Sequence, residues 1–183
     1  MVAQTARVLI LISFAMFARC AGPHGGPVPV EGVSGVKNLK RDGQIYVAGT
    51  PTSEGLDQLK DRGVMTVIDL RRQDEIKPEE VQAARDRGMT YVNIPMKSDE
   101  MTREQLDAFM EIMRAHSGEP VLVHCAGGSR AGGMYGAYLG KSGQCPADEA
   151  LRRAKEAGLR NPELEKDLSQ ALNEEDAVKP LGQ

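Results

Sequence analysis

Tryptophan is absent from this chain of 183 residues, and aromatic side chains make up only 4% of it. The nine methionines are expected to fill core gaps rather than to form a functional cluster. The longest apolar run, Val8 to Ala18, is eleven residues, far short of the roughly twenty that a membrane span needs, so a stable span is excluded. No surplus of positive charge exists either: 23 basic residues face 26 acidic ones for a formal net charge of -3. The basic residues lie among acids on helix faces rather than in a patch, which excludes a nucleic-acid partner. Three histidines do not assemble a ligand set; His24 stands in a loop without further ligands nearby, so no metal is expected. Internal repeats are absent too, and the length fits one globular domain with a single core.

What is present is concentrated in Val121-Leu-Val-His-Cys-Ala-Gly-Gly-Ser-Arg130-Ala-Gly-Gly. The apolar residues after Pro120 read as a buried strand, and the glycine-rich stretch as a turn feeding a helix through Leu139. Such a turn leaves backbone N–H groups aimed at one spot with the positive end of a helix dipole behind them, which is a place for an anion. Cys125 in that field, beside Arg130, is favoured as a thiolate and is the expected nucleophile. Arg130 offers a planar fork matched to two oxygens of a phosphoryl or sulfuryl group. Ala126, Gly127, Gly128 and Ser129 supply the amides of the cradle, and the glycines permit close backbone approach. No metal or organic cofactor is needed.

The stretch resembles the Cys-dependent signature His-Cys-x-x-Gly-x-x-Arg of the dual-specificity and tyrosine phosphatases, with four residues rather than five between Cys125 and Arg130. With Ile45-Tyr-Val-Ala-Gly-Thr-Pro-Thr-Ser-Glu-Gly-Leu and Val67-Ile-Asp-Leu-Arg71, it is similar to a bacterial family of such phosphatase-like domains with a short loop, also labelled beta-lactamase hydrolase-like or sulfurtransferase-like. The resemblance covers roughly residues 36 to 172. It implies hydrolysis of a phosphate ester or other oxyanion substrate, with phosphoproteins among the candidates, through a phosphocysteine. Rhodanese-type sulfurtransferases share the short loop, so a Cys125 persulfide carrier is the alternative; a non-catalytic anion-binding module is the third. The resemblance also makes His124 the residue that orders the loop. At position 131 it places Ala where related phosphatases carry a Ser or Thr hydroxyl that helps the thiolate leave, and Ser129 is the only hydroxyl within the loop.

Around this stretch the chain alternates strand and helix signals from Val36 onward, implying an α/β fold with a mainly parallel sheet of four to five strands and helices on both faces. Residues 1–22 read as an export signal, 23–35 as a flexible Gly/Pro-rich linker, 36–175 as the phosphatase-like domain and 176–183 as a polar tail. Export is expected to be to the periplasm, with lipid anchoring at Cys20 disfavoured by the Arg19 before it. Helices are expected from Thr52 or Ser53 to Arg62, Pro78 to Arg87, Thr102 to His116, Arg130 to about Lys141, Pro146 to Gly158, and Asn161 toward Leu172. One helix separates Cys125 from Cys145, too far for a disulfide between them.

Ligands of such sheets bind beyond the carboxyl ends of the strands, which nominates Asp69 and Arg71, then Lys97, Asp99 and Glu100, then the Cys125 loop. Arg71 ends an apolar strand and needs an anion: either the substrate, or Asp69 or Asp74 in a salt bridge. The phosphatase resemblance implies an acid on the loop before the signature helix. Asp99, 26 residues ahead of Cys125, is expected to protonate the leaving oxygen, with Glu100 as the alternative. Which tyrosine, Tyr46, Tyr91 or Tyr135, could grip an aromatic substrate is not legible.

Overall fold

The structure, a computed structural model, describes residues 25–174. Residues 1–22, expected to be an export signal, His24 and the tail beyond 175 lie outside them. Six strands form one sheet in the order β1-β2-β3-β6-β4-β5. The four central ones, β3 (Ile45–Ala48), β6 (Val121–His124), β4 (Thr66–Asp69) and β5 (Thr90–Asn93), run parallel. β2 (Lys40–Asp42) and β1 (Val28–Pro29) extend that sheet antiparallel. The strand count therefore exceeds the four to five expected. Among the described part of 23–35, the linker reading is corrected: Val28 and Pro29 pair with Arg41 and Lys40. Arg62 Nη2 also donates to the Glu31 and Gly32 carbonyls at 3.2 and 3.1 Å, fastening this segment to the domain.

The strands are buried on both faces because helices cover both. α1 (Ser53–Asp61) and α2 (Pro78–Asp86) lay Leu56, Leu59 and Ala84 against Tyr46, Val67 and Leu122. On the other face, α3 (Arg103–Ala115), α4 (Ser129–Lys141), α5 (Ala147–Ala157) and α6 (Pro162–Asn173) enclose Val47, Ile68, Val121 and Val123. The period-2 alternation of a strand thus sorts neighbouring residues onto opposite cores. Helix starts follow the capping chemistry in the sequence. Thr52 Oγ1 accepts from Gly55 N at 3.1 Å, and Thr102 and Gln105 form a reciprocal capping box. Pro78 and Pro162 each occupy a first turn, where a missing N–H costs nothing.

α4 is pressed unusually close to its neighbours by Gly132 and Gly136, four residues apart on one face. A Cβ on Gly132 would come within 2.6 Å of Leu159 N, and one on Gly136 within 2.5 Å of the Ala154 Cβ. Gly132→Ala is therefore expected to destabilise the domain by about 1–3 kcal/mol through overpacking, read as a lowered urea midpoint. A midpoint unchanged from the parent would mean that the turn after α5 can back away. Cys145, just ahead of α5, is 7% exposed and disulfide-bonded, whereas Cys125 is free.

Candidate active site

All four parallel strands deliver their carboxyl ends to one spot. β6 ends at His124, and the chain turns through Cys125 to Gly128 before α4 begins. Gly128, with φ 105°, is the N-cap of α4, a conformation an L side chain rarely adopts. Its N–H donates to Cys125 Sγ at 3.1 Å. The amides of Ala126, Gly127, Ser129 and Arg130 donate to no protein acceptor among the described residues. Those of Ser129 and Arg130 belong to the first turn of α4, where helix geometry supplies no partner. Cys125 is 2% exposed, so its sulfur lies at the floor of this ring of donors.

Other segments hold the loop from outside. After β3, Thr50 N donates to Ala126 O at 3.3 Å and Thr50 Oγ1 to Cys125 O at 3.1 Å. Asn38, at φ 53°, donates Nδ2 to Gly127 O at 3.0 Å. From the turn between α5 and α6, the amides of Arg160 and Asn161 donate to Ser129 Oγ at 3.0 and 3.3 Å. The Ser129 hydroxyl is thus engaged with that turn.

Arg130 is 5% exposed and clamped by Glu75, which follows β4 on a short 3-10 turn over Gln73–Glu75. Nη1 donates to Glu75 Oε2 and Nη2 to Oε1, both at 2.7 Å, and Nη1 also reaches the Met96 carbonyl at 2.9 Å. That consumes the outer edge of the fork and leaves Nε and one Nη2 hydrogen for an oxyanion. The Arg130 hydrogen bonds hold the Glu75 carboxyl down to about 2. Burial works against the Arg130 charge, but the Glu75 pair outweighs it and raises the guanidinium further. Nothing in sequence spacing singled out Glu75, which stands 55 residues before its partner; its one signal was a position just beyond a strand's carboxyl end.

Arg71 is placed in the second of its two expected settings. Its Nε lies 3.1 Å from both Asp69 oxygens and its Nη2 2.7 Å from Asp69 Oδ2, while Nη2 also meets Glu80 at 3.1 Å and Nη1 the Glu75 carbonyl at 3.2 Å. Its assignment to substrate binding is replaced by a structural one, because a buried guanidinium satisfied on every nitrogen has no edge to offer. Asp69 is fully buried; burial alone would raise its carboxyl, but the Arg71 bonds and the Tyr91 hydroxyl at 2.6 Å bring it below the ordinary range. It lies opposite His124 in the β4–β6 register, 3.5 Å from Nε2. Burial pushes His124 below the usual imidazole range against the pull of that carboxylate.

Asp99 is exposed on the loop between β5 and α3, with no ion pair among the described residues. Glu100, beside it, is bonded to Lys97 at 2.7 Å. The base of this loop is tied to the site through Met96 O on Arg130, and its far end to α6 through Met101 N on Asp167 at 3.0 Å. His116 ends α3 and meets Thr66 and Glu119, away from the site. Among the described residues no cluster of side chains fits a metal ion.

A thiol under a ring of unpaired amides, at the strand-to-helix turn of a parallel sheet, with an arginine fork alongside, defines the Cys-dependent phosphatase class. The chain belongs to the family described as "DSP-PTPase phosphatase fused to NAD+ Kinase", whose model matches residues 22–178. It is 30% identical over 105 residues to the beta-lactamase hydrolase-like protein of Agrobacterium fabrum (strain C58 / ATCC 33970), a match spanning 55% of this chain and 24% of that one. The chain thus spans about a quarter of the length of this curated relative. Among solved structures it is similar to the DUF442 protein of Shewanella putrefaciens CN-32, at 28% identity and a TM-score of 0.67 over 78% of this chain and 96% of that one. The fold is shared with P. aeruginosa TpbA, seen in complex with pTyr, at 17% identity and a TM-score of 0.60 over 79% of this chain and 91% of that one.

Proposed function

We propose that the chain hydrolyses phosphate monoesters through a phosphocysteine on Cys125. The observation that carries this reading is the set of unpaired amides of Ala126, Gly127, Ser129 and Arg130 beside a buried free thiol that already accepts from Gly128 N. Sγ attacks phosphorus in line with the ester oxygen, forming the S–P bond as the P–O bond breaks. The loop amides and the free edge of Arg130 hold the equatorial oxygens as charge redistributes over them. Asp99 gives its proton to the leaving oxygen; water, giving a proton back to Asp99, then cleaves the S–P bond and releases phosphate.

The second step lacks one aid. Ala131 carries no hydroxyl, and Ser129 Oγ is drawn toward the α5–α6 turn by the Arg160 and Asn161 amides, with no hydrogen bond to Cys125 Sγ among the described residues. Breakdown of the phosphocysteine is therefore expected to limit turnover, giving a burst of about one p-nitrophenolate per site from p-nitrophenyl phosphate. A strictly linear time course from the first turnover would contradict this. Asp99→Asn is expected to lower kcat/KM, which reports the P–O cleavage step, about 10²–10⁴-fold for alkyl esters and less for p-nitrophenyl phosphate, and to remove the basic limb of its pH profile. Equal losses on both leaving groups would strip Asp99 of the acid role and direct attention to Glu100. Assay of the same preparation for sulfur transfer from thiosulfate to cyanide tests the persulfide alternative. Export remains part of this reading: residues 1–22 have the pattern of a signal, with Arg7 ahead of the apolar stretch Val8 to Ala18. Recovery of the chain in the cytoplasmic fraction with residues 1–22 still attached would refute it.

A further inference from the structure

Resting on the phosphatase reading, the surroundings of the loop bear on which esters fit it. Every aromatic side chain among the described residues is committed elsewhere. Tyr46, Phe109 and Tyr135 are at most 1% exposed. The Tyr135 hydroxyl is bonded to Asp42 and the Tyr91 hydroxyl to Asp69, while Tyr138 meets Phe109 edge-on with centroids 6.1 Å apart. None is left to stack on a substrate ring, the contact through which an aryl phosphate would gain affinity beyond its phosphoryl group.

The loop is flanked instead by two exposed cations without a carboxylate partner among the described residues. Lys37 lies on the Ala126 side. Its carbonyl accepts from Gly49 N at 2.8 Å, and its Cβ and the Ala126 carbonyl both lie within 3.1 Å of the point a Gly49 Cβ would occupy. Arg160 lies at the opposite end, its amide on Ser129 Oγ. Its Nη1 rests on the Lys155 and Leu159 carbonyls, while Nε and Nη2 have no protein acceptor among the described residues. The cations of the neighbouring loops differ, since Arg72 is matched by Asp74 at 2.9 Å and Lys97 by Glu100 at 2.7 Å. The uncompensated positive charge therefore belongs to the residues that flank the cradle, Lys37 on the Ala126 side and Arg160 on the Ser129 side.

We propose that the site prefers a small, non-aromatic ester carrying a second phosphoryl group: one phosphoryl enters the Cys125 loop and the other is held at the rim by Lys37 or Arg160. These two side chains determine specificity and take no part in the bond changes.

The test uses calorimetry on the full chain carrying Cys125→Ser, with fructose 1,6-bisphosphate, fructose 6-phosphate and phosphotyrosine as probes at fixed ionic strength. The bisphosphate is expected to bind about tenfold tighter than the monophosphate, and phosphotyrosine no tighter than the monophosphate. Adding Lys37→Gln and Arg160→Gln should bring the bisphosphate ratio to within about twofold, whereas Arg160→Lys alone should preserve it. The preference should also shrink as salt rises. Equal affinities in the parent, a ratio unmoved by the double replacement, or tighter binding of phosphotyrosine than of the bisphosphate would each overturn the proposal. Circular dichroism separates loss of fold from loss of charge. Turnover of p-nitrophenyl phosphate by the unsubstituted chain judges the phosphatase reading separately. Turnover without the binding preference removes this inference alone, and the preference without turnover of any ester removes the phosphatase reading alone.

Discussion

Cys125→Ser is expected to remove turnover while leaving the loop able to bind phosphate. A serine hydroxyl fills nearly the same volume at the floor of the cradle but stays protonated, and no described side chain stands ready as its base. His124, the adjacent imidazole, faces Asp69 at 3.5 Å and is held in the sheet. The amides from Ala126 to Arg130 belong to the backbone and survive the substitution, as does the Arg130 fork in its Glu75 clamp. A fall of at least about 10³-fold in kcat, some 4 kcal/mol of barrier, is the expected size. Phosphate affinity measured by calorimetry should change by less than about threefold. Retention of the parent rate would sink the nucleophile assignment, and loss of phosphate binding together with turnover would mean that Sγ organises the loop.

The grouping of Cys125, Arg130 and the amides between them was legible because they are contiguous, so one short segment carries strand, turn and helix start. The helices were legible for a related reason. Thr52, Thr102, Pro78 and Pro162 act within a turn of their own positions, and local capping chemistry needs no knowledge of the rest of the chain. The edge of the sheet was different. β2 reads Lys40-Arg41-Asp42, which has no apolar period, and it becomes a strand because β3 offers an unpaired edge. Arg41 then lies over the ring of Tyr46, 5.2 Å from its centroid, a contact that register creates and spacing cannot announce. The supports of the site were hidden in the same way. Glu75, Asn38 and Thr50 sit in unremarkable polar stretches, and each meets the loop only after strands far apart in sequence become neighbours. Arg71 was half legible: a charge at the end of an apolar strand demanded an anion, but only the pairing of β4 with β5 and β6 shows that Asp69, with Tyr91 beneath it, is the anion.

Arg130→Lys should be the second large loss, about 10²–10⁴-fold in kcat/KM, although it conserves charge. In the parent, Glu75 takes one hydrogen from each Nη, and the Met96 carbonyl takes another. The fork is thereby fixed in plane, with Nε and the remaining Nη2 hydrogen available to two oxygens of one phosphoryl group. An ammonium is a point with three donors. It can satisfy Glu75 or reach the oxyanion, but cannot span both with fixed geometry. Glu75→Gln separates orientation from charge, because the guanidinium remains while its strongest restraint weakens; an intermediate loss of about tenfold, mainly in kcat, is expected. The pH dependence gives a further check. Glu75 titrates at about 2 in the folded chain, below the ordinary glutamate value near 4.5. Its stabilising pair is therefore fully formed above the unfolded value and lost only as pH falls through about 2. Across an assay from pH 5 to 8 the clamp does not change, so Glu75→Gln should lower the profile uniformly without moving its limbs. A displaced acidic limb would show that Glu75 titrates in the working enzyme, and near-parent kcat/KM in Arg130→Lys would show that residue 130 acts through charge alone.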